Sequence, residues 1–179
     1  MTISNILSNA PIDPQKLQRA TRIITALQEE LKKYIAQGSG PFLAAIYDEQ
    51  GTCISKTANS VISGGCSHNH AEMNAIKQAE EKLKTFDLAP HRLSLYVTAE
   101  PCLMCLGGIM WSGIQTVYYG LPSKRVEEIT GFDEGFKPNW LSEFHKRGIS
   151  VYGNIAPQIG EEVLAMYVKN GHTIYKPAR

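Results

Sequence analysis

Two short segments of the chain carry residue types that could do chemistry together: His70-Ala71-Glu72 and Pro101-Cys102-Leu103-Met104-Cys105. Residues three apart share one side of a helical turn, so Cys102 and Cys105 can send both sulfurs to one ion. If that turn opens a helix, its free N–H groups and positive dipole end favour thiolate over thiol. The His70 imidazole supplies a third ligand and leaves one tetrahedral position open, which is the catalytic rather than the structural zinc arrangement. The expected cofactor is one Zn²⁺ per chain. Zinc lowers the pKa of its water from about 15.7 to about 7, giving a hydroxide nucleophile near neutral pH. Glu72 stands two residues from His70, placed to carry a proton from that water to a substrate rather than to ligate. His68 competes with His70 as a ligand but has no Glu two residues later. Cys53 and Cys66 have no partner spacing and read as small, buried or partly buried residues; Glu100 reads as structural support. A thiol-redox reading of Cys102 and Cys105 leaves His70 and Glu72 unused.

The frame that must position these groups is modest in size. The 179 residues contain 18 Lys plus Arg against 17 Asp plus Glu, a formal net charge of +1. Length predicts a single domain, 1–179, large enough to bury a core without disulfides. The charge balance argues against a polybasic nucleic-acid or membrane binder. No apolar run approaches the ~20 residues of a membrane span. Met1 to Pro11 shows no basic start followed by an apolar block, so the expected location is cytoplasmic, with the cysteines reduced.

Asp13 and Pro14 read as the start of a helix over about 14–36, with Leu17, Ala20, Ile23, Ile24, Leu27, Leu31 and Tyr34 on one face. Gly38-Ser39-Gly40-Pro41 ends it. Phe42–Tyr47 and Thr52–Val61 predict a hairpin around Asp48-Glu49-Gln50-Gly51. A helix from about His70 to Lys84, a strand Leu93–Val97 and a short helix Cys102–Trp111 follow. Thr116–Tyr119 and Ile149–Tyr152 predict two more strands, and Gln158–Lys169 a closing helix before the tail 170–179. Alternating helices and strands predict an α/β fold, a three-layer α/β/α sandwich on a mixed, largely five-stranded sheet.

The two segments together match the general signature of zinc-dependent nucleobase deaminases, His-x-Glu followed by Pro-Cys-x-x-Cys. On them the chain resembles the cytidine and deoxycytidylate deaminase superfamily. Gly40-Pro41-Phe42, Asn59, Thr98-Ala99-Glu100-Pro101 and Trp111-Ser112-Gly113 are similar to its purine branch, which holds bacterial guanine deaminases and tRNA adenosine deaminases. Gly131-Phe132-Asp133-Glu134-Gly135, with Trp140 soon after, resembles the guanine side, some members of which also accept ammeline. That resemblance covers about residues 15–175. It implies hydrolysis of guanine to xanthine and ammonia, with attack at C2, Glu72 as proton shuttle and Glu134 as a second catalytic acid. It also implies substrate contacts at Asn59, Ala71 and Asp133. Phe42, Phe132 and Trp111 offer aromatic walls for a flat base, and Asn59 offers a donor and an acceptor to a purine edge. In the guanine deaminases that the chain resembles, the C-terminal segment is exchanged between two subunits. A homodimer is therefore expected, with Tyr175 as the lid residue. Deamination of ammeline, guanosine, tRNA adenosine or cytosine keeps the same triad and stands as the alternative. The sparse Lys124, Arg125, Lys169, Lys176 and Arg179 argue against a nucleic-acid partner. An inactive zinc-stabilised interaction domain would call for a fourth protein ligand or a missing acid, and Glu72 is present.

Overall fold

The computed structural model describes residues 6–11 and 13–176. Helix α1 (Pro14–Ala36) starts where its cap residue requires: Asp13 Oδ1 accepts the N–H groups of Gln15 and Lys16 at 2.8 and 3.3 Å. Its buried stripe is Ala20, Ile24, Leu27, Leu31 and Ile35, spaced by three and four as an amphipathic helix demands.

Among the described residues six strands form one mixed sheet. They are β1 (Leu7–Ser8), β2 (Leu43–Tyr47), β3 (Cys53–Ala58), β4 (Ser94–Ala99), β5 (Thr116–Leu121) and β6 (Ser150–Gly153), in the order β1-β6-β5-β4-β2-β3. The β4, β5 and β6 neighbours run parallel and the other pairs antiparallel. The sixth strand, β1, is the addition to the five expected. It is two residues long, and no periodicity could announce it. The second arm of the hairpin also stops earlier than its residue types suggested. Asn59 N–H still bonds Phe42 O, but Asn59 Oδ1 then takes the Val61 N–H at 3.1 Å, turning the chain into the short helix α2 (Val61–Gly64).

Side chains alternate across the sheet with period two. Ala44, Ile46, Leu95, Val97, Val117, Tyr119 and Val151 face α3 (Ala71–Leu83), α4 (Leu103–Ser112) and α6 (Trp140–Lys146). Leu43, Ala45, Tyr96, Tyr118 and Tyr152 face α1 and α7 (Pro157–Lys169), with Val126 of α5 (Ser123–Thr130) in the same core. The result is the three-layer α/β/α arrangement. On the α1 face, Tyr96, Tyr118 and Tyr152 occupy one register line across three strands and stack at 4.8 and 5.2 Å between centroids. Among the described residues no helix is long and apolar enough to cross a membrane.

Candidate functional site

Two helices begin at the same corner, where β4 delivers the chain into α4 at the carboxyl ends of the parallel strands, the usual ligand edge of such sheets. His70 is the residue that caps α3, and Cys102 caps α4. Both have extended backbone and neither makes a side-chain capping bond. Each side chain is therefore free to point forward while the first-turn N–H groups and dipole lie behind it. Cys105, one turn into α4, joins them. The Cys102 and Cys105 sulfurs are 3.6 Å apart, and each lies 3.6 Å from His70 Nδ1. A tetrahedral zinc with ordinary bond lengths asks for about 3.8 Å between sulfurs and about 3.6 Å from sulfur to nitrogen. The donor set and its spacing fit zinc, and the three ligands leave one position open. His68 takes no part; its ring lies against Cys66 Sγ, 3.3 Å away at the nearer nitrogen.

The protonation of the bare corner follows from crowding. Cys102 is lowered to about 4, first by the hydrogen bond from Cys105 and then, against burial, by His70. Cys105 is raised, because it shares that proton and is buried. A divalent cation supplies the charge that lets both sulfurs be thiolates. Burial would lower the His70 imidazole, but its bond to Cys102 raises it. Glu72 is 5% exposed, and burial raises its carboxyl to about 7; the Cys102 charge adds to the rise and His70 opposes it. A buried carboxyl two residues from a metal ligand is placed to move protons between a bound water and a substrate.

A cavity of about 460 Å³ opens over this corner, lined among others by Phe42, His70, Glu72, Glu100, Cys102, Phe132, Asp133, Glu134 and Tyr175. Its cover is aromatic. The Phe132 ring lies 5.6 Å from Phe42 and 5.1 Å from Tyr175, and Tyr175 is edge-on to His70 at 6.3 Å. Tyr175 reaches the cavity of its own chain, and Asn59 Nδ2 donates to its hydroxyl oxygen at 2.7 Å. Asn59 is 1% exposed and sits in the wall beneath Tyr175 rather than in the lining. Gly40 makes that seat possible, since a Cβ at Gly40 would fall 2.7 Å from Asn59 Oδ1. Ala71 and Cys105 are buried behind the lining. Asp133 is exposed, and its Oδ1 accepts the Gly135 N–H at 2.8 Å.

Trp111 is a correction. It is 83% exposed on the outer face of α4, beside Phe86 and Met73, and does not line the cavity. The structure instead brings to the site residues that the sequence did not mark as part of it. Cys66, Ser67 and Lys176 stand at the cavity wall. Lys137 Nζ lies 3.1 Å from Glu134 Oε2 and 3.3 Å from Glu100 Oε1. The one signal for Lys137 was its opposite charge three residues after Glu134. The Glu134 carboxyl is raised, because burial outweighs the Lys137 charge.

The profile of the cytidine and deoxycytidylate deaminase zinc-binding region matches residues 15–121, which include all three metal ligands. Among solved structures, the guanine deaminase of Nitrosomonas europaea is 32% identical with a TM-score of 0.79, over 88% of this chain and 93% of its own. NE0047 in complex with 2,6-diaminopurine superimposes at TM-score 0.82 and 32% identity, over 94% of this chain and 96% of its own. The guanine deaminase of Bacillus subtilis is 36% identical over 97 residues, 54% of this chain and 60% of its own length. The tRNA-specific adenosine deaminase of Aquifex aeolicus is 38% identical over 96 residues, 54% of this chain and 62% of its own. The chain thus spans less than two thirds of the length of these curated relatives.

Proposed function

This chain belongs to the zinc-dependent deaminases of the cytidine and deoxycytidylate deaminase superfamily, and from that premise we propose that its substrate is guanine, hydrolysed to xanthine and ammonia. The observation that carries the reading is the second carboxylate: Glu134 joins Glu72 in one cavity under an aromatic cover. Likeness to the Nitrosomonas europaea guanine deaminase over 88% of the chain supports it further.

Zinc, when held by His70, Cys102 and Cys105, supplies a Lewis acid that acidifies a water beside Glu72. Glu72 takes the proton of the attacking water and gives it to the ring nitrogen adjacent to C2. As the C2–O bond forms, the C2–N bond to the exocyclic amino group weakens. Glu72 then takes the remaining proton from the C2 hydroxyl and passes it, directly or by way of Glu134, to that nitrogen; the C2–N bond breaks, ammonia leaves, and the hydroxyl oxygen becomes the C2 carbonyl of xanthine. Phe42, Phe132 and Tyr175 enclose the flat base and exclude bulk water, which strengthens each polar contact inside. Asn59 holds Tyr175 over the base through one amide N–H and keeps the other for an acceptor on the purine edge.

The assembly proposed with this activity is a homodimer that exchanges segment 170–179, of which residues 177–179 lie outside the described residues. Tyr175 over its own cavity is the arrangement such an exchange would reproduce from a second copy. Sedimentation at working concentration should give twice the chain mass, and a monomer rejects the exchange.

The deciding assay is ammonia release by the zinc-loaded protein on guanine, guanosine, ammeline, cytosine, adenine and tRNA. Guanine is expected to be the fastest. Turnover of adenosine in tRNA with none on guanine would replace this reading with the other purine activity of the family.

A further inference from the structure

We infer that Lys137 is a positioning residue, a latch that ties the loop bearing Glu134 to the floor of the cavity; this rests on the proposal that Glu134 acts on the substrate.

The loop between α5 and α6 has no regular secondary structure over residues 131–139, so no backbone ladder fixes where its side chains stand. Its glycines Gly131 and Gly135 adopt positive φ, and the Asp133 contact to Gly135 is local to the loop. Phe132 anchors one end by packing against Phe42 and Tyr175. Apolar packing holds a ring in place but leaves the neighbouring carboxylate free to swing. Lys137 supplies the directional contact. Its ammonium meets Glu134 Oε2 and Glu100 Oε1 and hydrogen-bonds Ser123 Oγ, with the Lys137, Glu100 and Glu134 side chains each 13% exposed.

The far side of the latch is fixed to the sheet. Glu100 N–H bonds Leu121 O at 2.8 Å, and Glu100 Oε2 accepts the Ser123 N–H at 2.9 Å. Glu100 thus connects the end of β4, the end of β5 and the start of α5. Lys137 completes the connection to the loop. It also sets the charge balance, because Glu72, Glu100 and Glu134 all line one cavity. Removing the cation between Glu100 and Glu134 leaves two shielded carboxylates without a counter-charge, and the mobile one moves away. Lys137 is not in the cavity lining, so it acts through Glu134 rather than on the substrate.

The test compares Lys137→Met and Lys137→Arg in the zinc-loaded full chain. Lys137→Met should keep one zinc and lose about 10- to 100-fold in kcat, the scale of a misplaced catalytic group, with KM changed less than about threefold. Amide hydrogen exchange of residues 131–136 should quicken by about tenfold or more, the mark of a local opening. Lys137→Arg should restore most of the kcat. If Lys137→Met fails to fold, Ser123→Ala, which removes one hydroxyl from the latch, should show a smaller kcat loss with the same faster exchange. Unchanged loop exchange, or kcat within about twofold of the parent, overturns the latch. Glu134→Gln with the parent kcat instead overturns the reading on which the latch rests, whichever base is turned over.

Discussion

The corner that binds metal and the cover that closes over it are built in opposite ways. His70, Cys102 and Cys105 stand at the starts of two helices that pack against the sheet, so backbone hydrogen bonds fix each Cα before any ion arrives. Phe132, Glu134 and Tyr175 stand on irregular chain and hold one another through ring contacts and the Lys137 ion pairs. A site that must present ligands within tenths of an ångström gains from the rigid frame. A site that must admit a substrate and release a product gains from one that opens at small cost. The difference separates chemistry from access.

The first way to break this division is at the metal. Cys102→Ala or His70→Ala should reduce bound zinc from one per chain to near none and abolish turnover, as metal analysis and ammonia release would record. Next comes Glu72→Gln, which should keep the zinc and lose about 10²- to 10⁴-fold in kcat, the usual cost of removing a general acid–base. Loss of zinc in that variant would make Glu72 part of the metal corner and blur the boundary. Tyr175→Phe tests the cover more gently. It removes the hydroxyl partner of Asn59, a hydrogen bond worth about 0.5–1.5 kcal/mol, so KM should rise about two- to tenfold with kcat little changed. Smallest of all, Trp111→Ala should leave kcat unchanged and stability within about 0.5 kcal/mol, because the ring is 83% exposed and away from the cavity.

The same division governs what the sequence made legible. The cysteine half of the corner could be read from spacing, because helix geometry puts Cys102 and Cys105 on one side of a turn, whereas His70, 32 positions before Cys102, joined them through the His-x-Glu and Pro-Cys-x-x-Cys signature. Helix α1 was equally plain, from Asp13 and Pro14 to the two glycines beyond its end. The cover was not. Lys137 meets Glu100 across 37 positions of sequence, and no periodicity relates two residues on irregular chain. Trp111 was misjudged for a different reason. Helix α4 is apolar nearly all round, so its pattern does not tell which side faces inward. Cys105, Leu106 and Ile109 are buried, while Leu103, Met104, Met110 and Trp111 are exposed. Asn59 stands out in the sequence through the family resemblance, but its partner Tyr175 lies 116 positions away and that contact needs the fold to be seen.

The two tryptophans give the molecule an optical asymmetry. Trp140 is 7% exposed, wedged between Tyr119 and Phe144 in the core that also supports α3, whereas Trp111 stands in water. Their emission should therefore separate into a blue component shielded from iodide and a red component open to it. Unfolding would move the first toward the second. Since neither indole touches the cavity, the shielded band reports the integrity of the scaffold alone, and a substrate that closes the cover passes unseen by it.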